Sequence, residues 1–365
     1  MAGRTGPDDD GAGALTMSSC LPSILTVPEA ELQAFFRDNG EKSFRRKQLQ
    51  EWLYRRHTLQ FAAMTDLPGA LRLALTERFA DCSSTLAATL PAPDGTEKLL
   101  LHLADGEAIE MVLIPSPGRM TFCLSTQVGC PVGCRFCASG RDGLIRNLHT
   151  HEILEQLYHG SARIGRLPDN IVFMGIGEGL LNLKQLLPAI TMLIAPERFG
   201  MAPRRLTVST SGYVPGIYEL AAFGRELNLA VSLHAVDDAT RAVLIPDTLR
   251  YPLAEILAAV DDYQQKIGRM ATFEYTLIEA VNDQDSAARA LARLARRHHA
   301  KINLIPYNAT TELFRRPSNA VIRRFAELLE AEGAKMTLRL EKGAKVAAAC
   351  GQLRATHRRT PAATE

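Results

Sequence analysis

Apolar residues follow helical spacing near the N-terminus of the chain and form short strand-like runs further on. Residues 1–24 are rich in Gly, Asp and Ser and follow neither pattern, which predicts a disordered tail. From Pro28, a residue that suits a first helical turn, apolar residues such as Leu49 and Leu53 recur at helical spacing. We therefore predict a small helical domain over residues 25–84.

The segment TEKLLLHLADGEAIEMVLIP contains two strand-like apolar runs on either side of Asp105 and Gly106. An Asp-Gly pair between such runs is typical of a β-hairpin. We predict a β-hairpin linker over residues 85–118, between the helical domain and the rest of the chain.

Six short apolar runs alternate with amphipathic stretches over residues 119–353. The runs are MTFCLST, NIVFMG, RRLTVST, NLAVSLH, ATFEYTLI and KINLIPYN, and the helix candidates are His151–Tyr158, Leu183–Leu193, Leu253–Gln265, Ser286–Arg296 and Asn319–Glu332. Strands separated by helices of this length imply right-handed crossovers. The pattern predicts an α/β domain whose parallel sheet is open or curled into a full or partial barrel, followed by a flexible basic tail over residues 354–365.

Polar residues stand at the ends of five of these six strands. A cysteine-rich loop follows the first strand, and the other polar residues are Gly177 with Glu178, Ser209, Ser232 with His234, and Asn308. Because ligands bind beyond the carboxyl ends of parallel strands, we expect these residues to share one mouth. Each of them alone also fits a structural role, such as a helix cap, a turn or a core histidine.

The composition is that of a soluble globular protein, with 46% hydrophobic and 22% charged residues among 365. The chain has no run of eighteen apolar residues, and its start lacks the charged-then-apolar order of a signal peptide. We therefore expect a cytoplasmic protein without a membrane span.

The formal net charge of +2 is too small to indicate nucleic-acid binding by itself. Two basic clusters exist: the C-terminal RATHRR and, in the helical domain, Lys42, Arg45, Arg46, Lys47, Arg55 and Arg56. Each cluster suits a phosphate-binding surface and a solvated helix face equally well.

Three of the seven cysteines stand at C-x3-C-x2-C spacing: Cys130, Cys134 and Cys137. Structural zinc sites take four protein ligands, so zinc here would need a further ligand such as His149 or His151. An iron-sulfur cluster held by three thiolates would keep one iron open for a small molecule. The spacing favours the iron-sulfur cluster over zinc.

The cysteine spacing, with Phe136 before the last cysteine, resembles the signature of radical S-adenosylmethionine enzymes. From about Glu41 to Leu353 the chain resembles the RlmN/Cfr family of RNA adenosine C-methyltransferases. The matching segments include FRRKQLQEWLYRR, CRFCASGRDGLIRNLHTHEI, IVFMGIGEGLLNL, RRLTVSTSGYVP, LAVSLHA, INLIPYN and AACGQL. The cysteine triad and the Cys350-Gly-Gln-Leu motif are the most specific of them.

This resemblance implies a fold, two cofactors and their ligands. The fold is a partial (β/α)6 radical S-adenosylmethionine barrel, to which the helical domain and the hairpin are added. The cofactors are a [4Fe-4S] cluster on the three cysteines and S-adenosyl-L-methionine. Matching residue by residue assigns contacts with S-adenosylmethionine to Gly177, Glu178, Ser209, Ser232, Leu233, His234 and Asn308.

The resemblance also implies a radical reaction, since the amidine carbon of adenine is not a nucleophile. Cys350 would first be methylated, and a deoxyadenosyl radical from a second S-adenosylmethionine would remove a hydrogen from that methyl group. The carbon radical would then add to the base. Glu110 would take the proton of the ring carbon, and Cys123 would release the product by forming a transient disulfide with Cys350. The alternative for Glu110 is a solvated strand position.

By the same resemblance, the substrate is an adenosine in RNA, modified at ring carbon C2. The RNA partners are 23S ribosomal RNA and transfer RNA, and the electron donor is a flavodoxin or ferredoxin. A monomer is expected.

Three segments depart from the family pattern. Gly179 stands where the family has Pro or Ala, and Pro-Asp-Thr at residues 246–248 replaces Pro-Ile-Asn. The run before Cys350 carries Ala and Lys where family members carry aspartates. Two alternatives therefore stay open: a paralogue that methylates C8 or another substrate, and a metal-stabilised RNA-binding protein without catalysis. Cys82 matches no family motif, and we expect it to be structural.

Overall fold

The computed structural model describes residues 21–246, 251–339 and 351–353. Most of the predicted N-terminal tail, the predicted C-terminal tail and Cys350 lie outside these ranges. The predicted tail boundary at residue 24 falls inside the folded domain, because Ser23 forms an isolated β-bridge with Ala80 and the Ile24 N–H donates to the Ala80 carbonyl at 2.9 Å.

A small helical domain opens the described chain. Its helices are α1 (Glu29–Asp38), α2 (Ser43–Tyr54) and α3 (Gly69–Arg78). Leu49 and Leu53 on α2 and Leu71 and Leu75 on α3 are buried in a shared apolar core. The helical spacing in the sequence therefore corresponds to real helices that are held together by burial of one face.

A ten-stranded sheet forms the body of the protein, in the order β1-β2-β3-β4-β7-β8-β9-β10-β11-β12. Its strands are β1 (Thr85–Pro91), β2 (Glu97–His102), β3 (Ala108–Ser116), β4 (Arg119–Cys123), β7 (Asn170–Phe173), β8 (Leu206–Thr210), β9 (Asn228–Ser232), β10 (Thr272–Leu277), β11 (Lys301–Pro306) and β12 (Met336–Leu338). A separate two-stranded sheet contains β5 (Gln127–Gly129) and β6 (Leu144–Asn147).

The strands from β4 to β12 in this sheet run parallel, whereas β1 to β4 pair antiparallel. Seven helices belong to this part of the described chain: α4 (Thr150–Ile164), α5 (Leu183–Ile194), α6 (Val214–Ala222), α7 (Asp238–Leu244), α8 (Leu253–Ile267), α9 (Asp285–Arg297) and α10 (Asn319–Ala331). The predicted α/β fold is confirmed: the six predicted strands are β4 and β7 to β11, and β12 adds a seventh parallel strand at the edge of the sheet.

The antiparallel extension differs from a simple hairpin linker. The predicted strands on either side of Asp105-Gly106 are present as β2 and β3, but β1 precedes them and β3 pairs with β4. The extension is therefore continuous with the barrel sheet. Its outer face packs under α4, where a Cβ at Gly160 would lie 2.4 Å from the Phe122 ring, so only glycine permits this close approach.

No helix within the described ranges is long and apolar enough to span a membrane.

Candidate active site at the mouth of the barrel

A pocket opens at the carboxyl ends of the parallel strands, where the sequence predicts a shared mouth. The residues that line it include Cys130, Cys134, Phe136, Cys137, Gly177, Glu178, Ser209, Ser232, His234, Glu274, Thr276, Asn308 and Gly351. The predicted residues come from five separate strand-end loops, yet they face one cavity. This is the convergence expected for a ligand site in a parallel α/β fold.

All three cysteines of the triad are half-buried on the wall of this pocket. Burial raises the pKa of the Cys130 thiol to about 12 and that of the Cys134 thiol well above its usual range. Both thiols are therefore neutral at pH 7 in the metal-free chain, and a metal must displace their protons on binding.

The donor set suits a cluster better than a single ion. Three cysteine thiols line the pocket, whereas a structural zinc ion takes four protein ligands. A [4Fe-4S] cluster takes one thiolate per iron, so its three ligands need to share a pocket without meeting at one point. Neither His149 nor His151, whose rings stack on each other with 5.5 Å between centroids, lines the pocket with the cysteines.

The turn after β7 requires glycine at one position. Gly177 has a φ of 112°, and a Cβ there would lie 2.6 Å from the Gln127 Cβ. The next residue, Glu178, is 4% exposed, and its carboxylate accepts from the backbone N–H groups of Ser211 at 2.6 Å and Leu180 at 3.3 Å. Burial raises the pKa of the Glu178 carboxyl, while these hydrogen bonds act in the opposite direction.

His234 is held in a strained conformation at the end of β9. Its φ is 57°, and its Nδ1 accepts a hydrogen bond from the Thr276 N–H at 3.0 Å. Because Nδ1 accepts, the neutral ring carries its proton on Nε2. Burial, assisted by the nearby charge of Arg241, lowers the pKa of His234 to about 3, so the ring is neutral at physiological pH.

Six of the seven residues predicted to contact S-adenosylmethionine line the pocket: Gly177, Glu178, Ser209, Ser232, His234 and Asn308. Leu233 is not part of the lining, because its side chain is fully buried in the main core and its N–H donates to the Glu274 carbonyl. The contact predicted for Leu233 was one through its backbone, which does not require its side chain to line the pocket. The ligand roles of all seven residues stay predictions.

The chain just after Cys350 lies against the cysteine loop, although Cys350 itself is outside the described residues. The Gly351 carbonyl accepts from the Ala138 N–H at 2.7 Å, and the Leu353 carbonyl accepts from the Ser139 hydroxyl at 2.7 Å. Gly351 also lines the pocket. The C-terminal segment is thus held directly beside the candidate cluster site.

Glu110 lies on the neighbouring extension and Cys123 lies at the end of β4, and neither lines the pocket. Cys123 ends β4 and belongs to an apolar cluster with Val112, Ile176 and Leu353. Glu110 is on β3, 4% exposed, with Lys98 Nζ 2.8 Å from its carboxylate oxygen. Glu110 is therefore a buried residue, and its alternative as a solvated strand position is wrong.

The pocket also contains polar residues that the sequence did not predict, among them Glu274 and Thr276. These two lie two positions apart on β10, so they face the pocket together, and the Glu274 carboxylate accepts from the Asn303 amide at 2.8 Å. Burial raises the pKa of the Glu274 carboxyl. In the sequence, the acidic Glu274 within the apolar run ATFEYTLI was the feature that could have indicated a functional position.

Cys82 lies at the seam between the helical domain and α4. The neighbouring Ser83 and Ser84 donate four hydrogen bonds of 2.6–3.0 Å to the buried Glu155 carboxylate, two from backbone N–H groups and two from hydroxyls. Burial raises the pKa of the Cys82 thiol to about 12, which leaves it unreactive. These contacts fit the expected structural role.

The basic cluster of the helical domain is largely engaged within the protein. Arg46 pairs with Glu29, the Arg56 guanidinium stacks over the Trp52 ring, and Arg55 donates to the carbonyls of residues 196 and 198 at 2.8 and 3.0 Å. Lys42 and Lys47 are exposed. Only part of the cluster is therefore available to a phosphate backbone.

Comparison with known proteins identifies both parts of the chain. Residues 23–80 match the family model of the ribosomal RNA large subunit methyltransferase N-terminal domain, and residues 124–291 match that of the radical SAM superfamily. The probable dual-specificity RNA methyltransferase RlmN of Rhodopirellula baltica is 44% identical over 89% of this chain and 88% of its own length. The dual-specificity RNA methyltransferase RlmN of Anaeromyxobacter dehalogenans is 40% identical over 92% of each chain.

A solved structure shows the same architecture. The radical SAM methyltransferase from Sphaerobacter thermophilus superimposes with a TM-score of 0.87 at 42% identity, covering 92% of this chain and 99% of its own.

Proposed function

Because the chain belongs to the RlmN family of radical S-adenosylmethionine RNA methyltransferases, we propose that it methylates C2 of an adenosine in 23S ribosomal RNA and in transfer RNA. The reaction proceeds through a methylated Cys350 and a transient disulfide between Cys350 and Cys123. The relatives are named as dual-specificity RNA methyltransferases, which supports two RNA classes as substrates.

One observation carries this proposal: the chain that follows Cys350 lines the same pocket as the three cysteines and Glu178. A thiol that accepts a methyl group from S-adenosylmethionine and later presents that group to a radical must stay close to the cofactor. A metal-stabilised RNA-binding protein without catalysis needs neither this arrangement nor a second thiol at position 123.

Cys130, Cys134 and Cys137 would hold a [4Fe-4S] cluster, with the pocket beside them for S-adenosyl-L-methionine. When bound, the pair supplies the one-electron chemistry that generates a hydrogen-abstracting radical. The Glu178 carboxylate offers an acceptor for the amino group of the methionine moiety. The neutral His234 ring offers its Nε2 proton as a donor.

The remaining chain residues act on the methyl group and on the base. The Cys350 thiolate takes up the methyl group, the resulting thioether methyl loses one hydrogen atom to the radical, and its carbon then bonds to the adenine ring carbon. Glu110 removes the proton from that ring carbon, and one electron of the adduct would return to the bound cofactors. The Cys123 thiolate then attacks the Cys350 sulfur, so that a disulfide forms as the sulfur–carbon bond breaks, and the carbon takes a proton to become the methyl group of the released RNA. A flavodoxin or ferredoxin supplies electrons, and the enzyme works as a cytoplasmic monomer.

Nucleoside mass spectrometry tests the proposal. The protein is purified anaerobically, reconstituted with iron and sulfide, and incubated with S-adenosylmethionine, reductant and unmodified ribosomal or transfer RNA. We expect 2-methyladenosine in both RNAs with the wild type and none with Cys350→Ala. Methylation at C8, deoxyadenosine without methylated RNA, or methylation by the Cys350→Ala variant would contradict it.

A further inference from the structure

Lys98 and Glu110 form a buried ion pair outside the pocket. The Lys98 Nζ lies 2.8 Å from a Glu110 carboxylate oxygen, and the two side chains are 9% and 6% exposed. Lys and Glu are rarely buried this deeply unless they are paired. A buried ion pair contributes little net stability compared with an apolar pair of similar size, so stability alone does not account for it.

The strand register places this pair beside Cys123. Val112 on β3 is directly opposite Lys98 on β2 and directly opposite Cys123 on β4. Directly paired residues share a face of the sheet, and Glu110, two positions from Val112, shares it too. Glu110 is thus diagonal to both Lys98 and Cys123, a separation of about 7–8 Å between Cα atoms.

The same face leads to the C-terminal segment. Val112 and Cys123 belong to one apolar cluster with Leu353, three residues after Cys350 in the sequence. The opposite face of β3 and β4, with Met111 and Phe122, is instead covered by α4. The ion pair therefore lies on the side of the sheet that carries Cys123 and packs against Leu353.

We propose that Lys98 is a positioning residue for the proton-removal step, holding the Glu110 carboxylate fixed in direction. The inference rests on the proposed function and deepens it. In this step the C–H bond of the adenine ring carbon breaks, the proton passes to a Glu110 oxygen, and the bonding electrons stay on the base.

Lys98 acts through Glu110 because an ammonium group has no lone pair with which to take the proton. The ammonium limits the rotation of the Glu110 carboxylate, since it attracts one oxygen at hydrogen-bond distance. Without this contact the carboxylate no longer has one fixed direction, so the oxygen that takes the proton is less often in place.

Decay of the covalent protein–RNA adduct tests this role. The reconstituted holoenzyme is mixed with RNA and S-adenosylmethionine in a single turnover at pH 7, and adduct and methyladenosine are followed on denaturing gels and by mass spectrometry. The variants are Lys98→Met, Lys98→Arg, Glu110→Gln and the Lys98→Met/Glu110→Gln double variant. Lys266→Met is the matched control, because it removes a lysine 2.9 Å from Asp262 on the exposed face of α8.

We expect Lys98→Met to form the adduct but to resolve it about tenfold more slowly at pH 7. Lys98→Arg keeps the charge and should stay within about threefold of the wild type. The double variant should resolve the adduct no more slowly than Glu110→Gln alone, because both changes act on one step. Lys266→Met should match the wild type.

An unchanged rate of adduct decay in Lys98→Met, a loss in Lys98→Arg as large as that in Lys98→Met, or an additive loss in the double variant overturns the positioning role. If Lys98→Met does not fold, Lys98→Gln and the double variant, which removes both charges, replace it, and the same decay rates decide. A wild type that forms neither adduct nor methyladenosine overturns the proposed function itself, and the two failures are thereby distinguished.

Discussion

The backbone N–H of Ala138 donates a hydrogen bond to the Gly351 carbonyl, with 2.7 Å between nitrogen and oxygen. Ala138 directly follows the last cysteine of the triad, and Gly351 directly follows Cys350. The bond therefore ties together two segments more than two hundred residues apart in sequence. It fixes the chain beside Cys350 against the loop that we propose holds the cluster.

Truncating the buried Leu353 side chain should weaken the contact between the C-terminal segment and the cysteine loop. Leu353 is 4% exposed and packs with Val112, Cys123 and Ile176, so Leu353→Ala leaves a cavity that weakens docking by about 2 kcal/mol or more. We expect slower methylation of Cys350 and faster proteolysis near the C-terminus. Radiolabelled S-adenosylmethionine and limited trypsin digestion measure the two effects.

Leu313→Ala is the matched control for this change, because that leucine is 74% exposed on the loop after β11. It should keep the wild-type rate of Cys350 methylation. Equal rates for both variants would show that the Leu353 contacts do not position the segment.

Gly177→Ala should damage the turn that presents Glu178. The residue has a φ of 112°, and a new Cβ would lie 2.6 Å from the Gln127 Cβ. The combined strain and clash should weaken S-adenosylmethionine binding on the order of tenfold or more. Equilibrium dialysis with the reconstituted protein gives the affinity, and iron content shows that the cluster is intact.

Gly179→Ala tests the neighbouring departure from the family pattern. A Cβ at Gly179 would meet nothing closer than 3.4 Å, so it fits without displacement of its neighbours. We expect an affinity close to that of the wild type. A loss as large as that of Gly177→Ala would show that the turn is not shaped by these steric limits.

His234 should make the metal-free protein less stable in acid. Its pKa is about 3 in the folded chain because of burial and the charge of Arg241, and rises to about 6.5 on unfolding. Between these values the unfolded chain binds the extra proton, so this contribution is complete above about pH 6.5 and is lost as the pH falls towards 3. Urea denaturation of wild type and His234→Gln over this range measures it.

The difference between the two proteins is the informative quantity, since other groups titrate in both. We expect the wild type to lose more stability than His234→Gln between pH 6.5 and pH 4. Parallel curves for the two proteins would exclude a buried neutral His234.

Lys47 and Arg55 should respond differently when each is changed to Ala. Lys47 is exposed, whereas the Arg55 guanidinium donates to the carbonyls of residues 196 and 198 across the domain seam. Lys47→Ala should lower the slope of log affinity for RNA against log salt by about 1. Arg55→Ala should instead cost about 1 kcal/mol of stability and leave that slope unchanged.

Filter binding across a salt series and thermal unfolding separate the two effects. If Arg55→Ala lowers the salt slope and Lys47→Ala does not, the assignment of the two residues is reversed.

Much of the barrel followed from the sequence because its strands are strongly apolar and its helices are amphipathic. The strand-end rule placed Glu178, Ser209 and His234 in one pocket without any measured distance. Short elements escaped this reasoning: β5, β6 and α7 have three, four and seven residues, too few to show a period. Their formation depends on tertiary contacts.

The Lys98–Glu110 pair could not be predicted either. It depends on the register of three strands that meet at Val112, and a shift by one residue would move these side chains to the other face. Only the folded sheet shows that this lysine and this glutamate share a face with Cys123.

Isotope transfer tests the central claim most directly. The methyl donor is S-adenosylmethionine that carries three deuterium atoms on its methyl group. On a route through methylated Cys350, the deoxyadenosyl radical abstracts one of these deuterium atoms. We predict methyladenosine that keeps two deuterium atoms and deoxyadenosine that gains one. Methyladenosine with all three, and deoxyadenosine with none, would mean direct methyl transfer and would contradict the account.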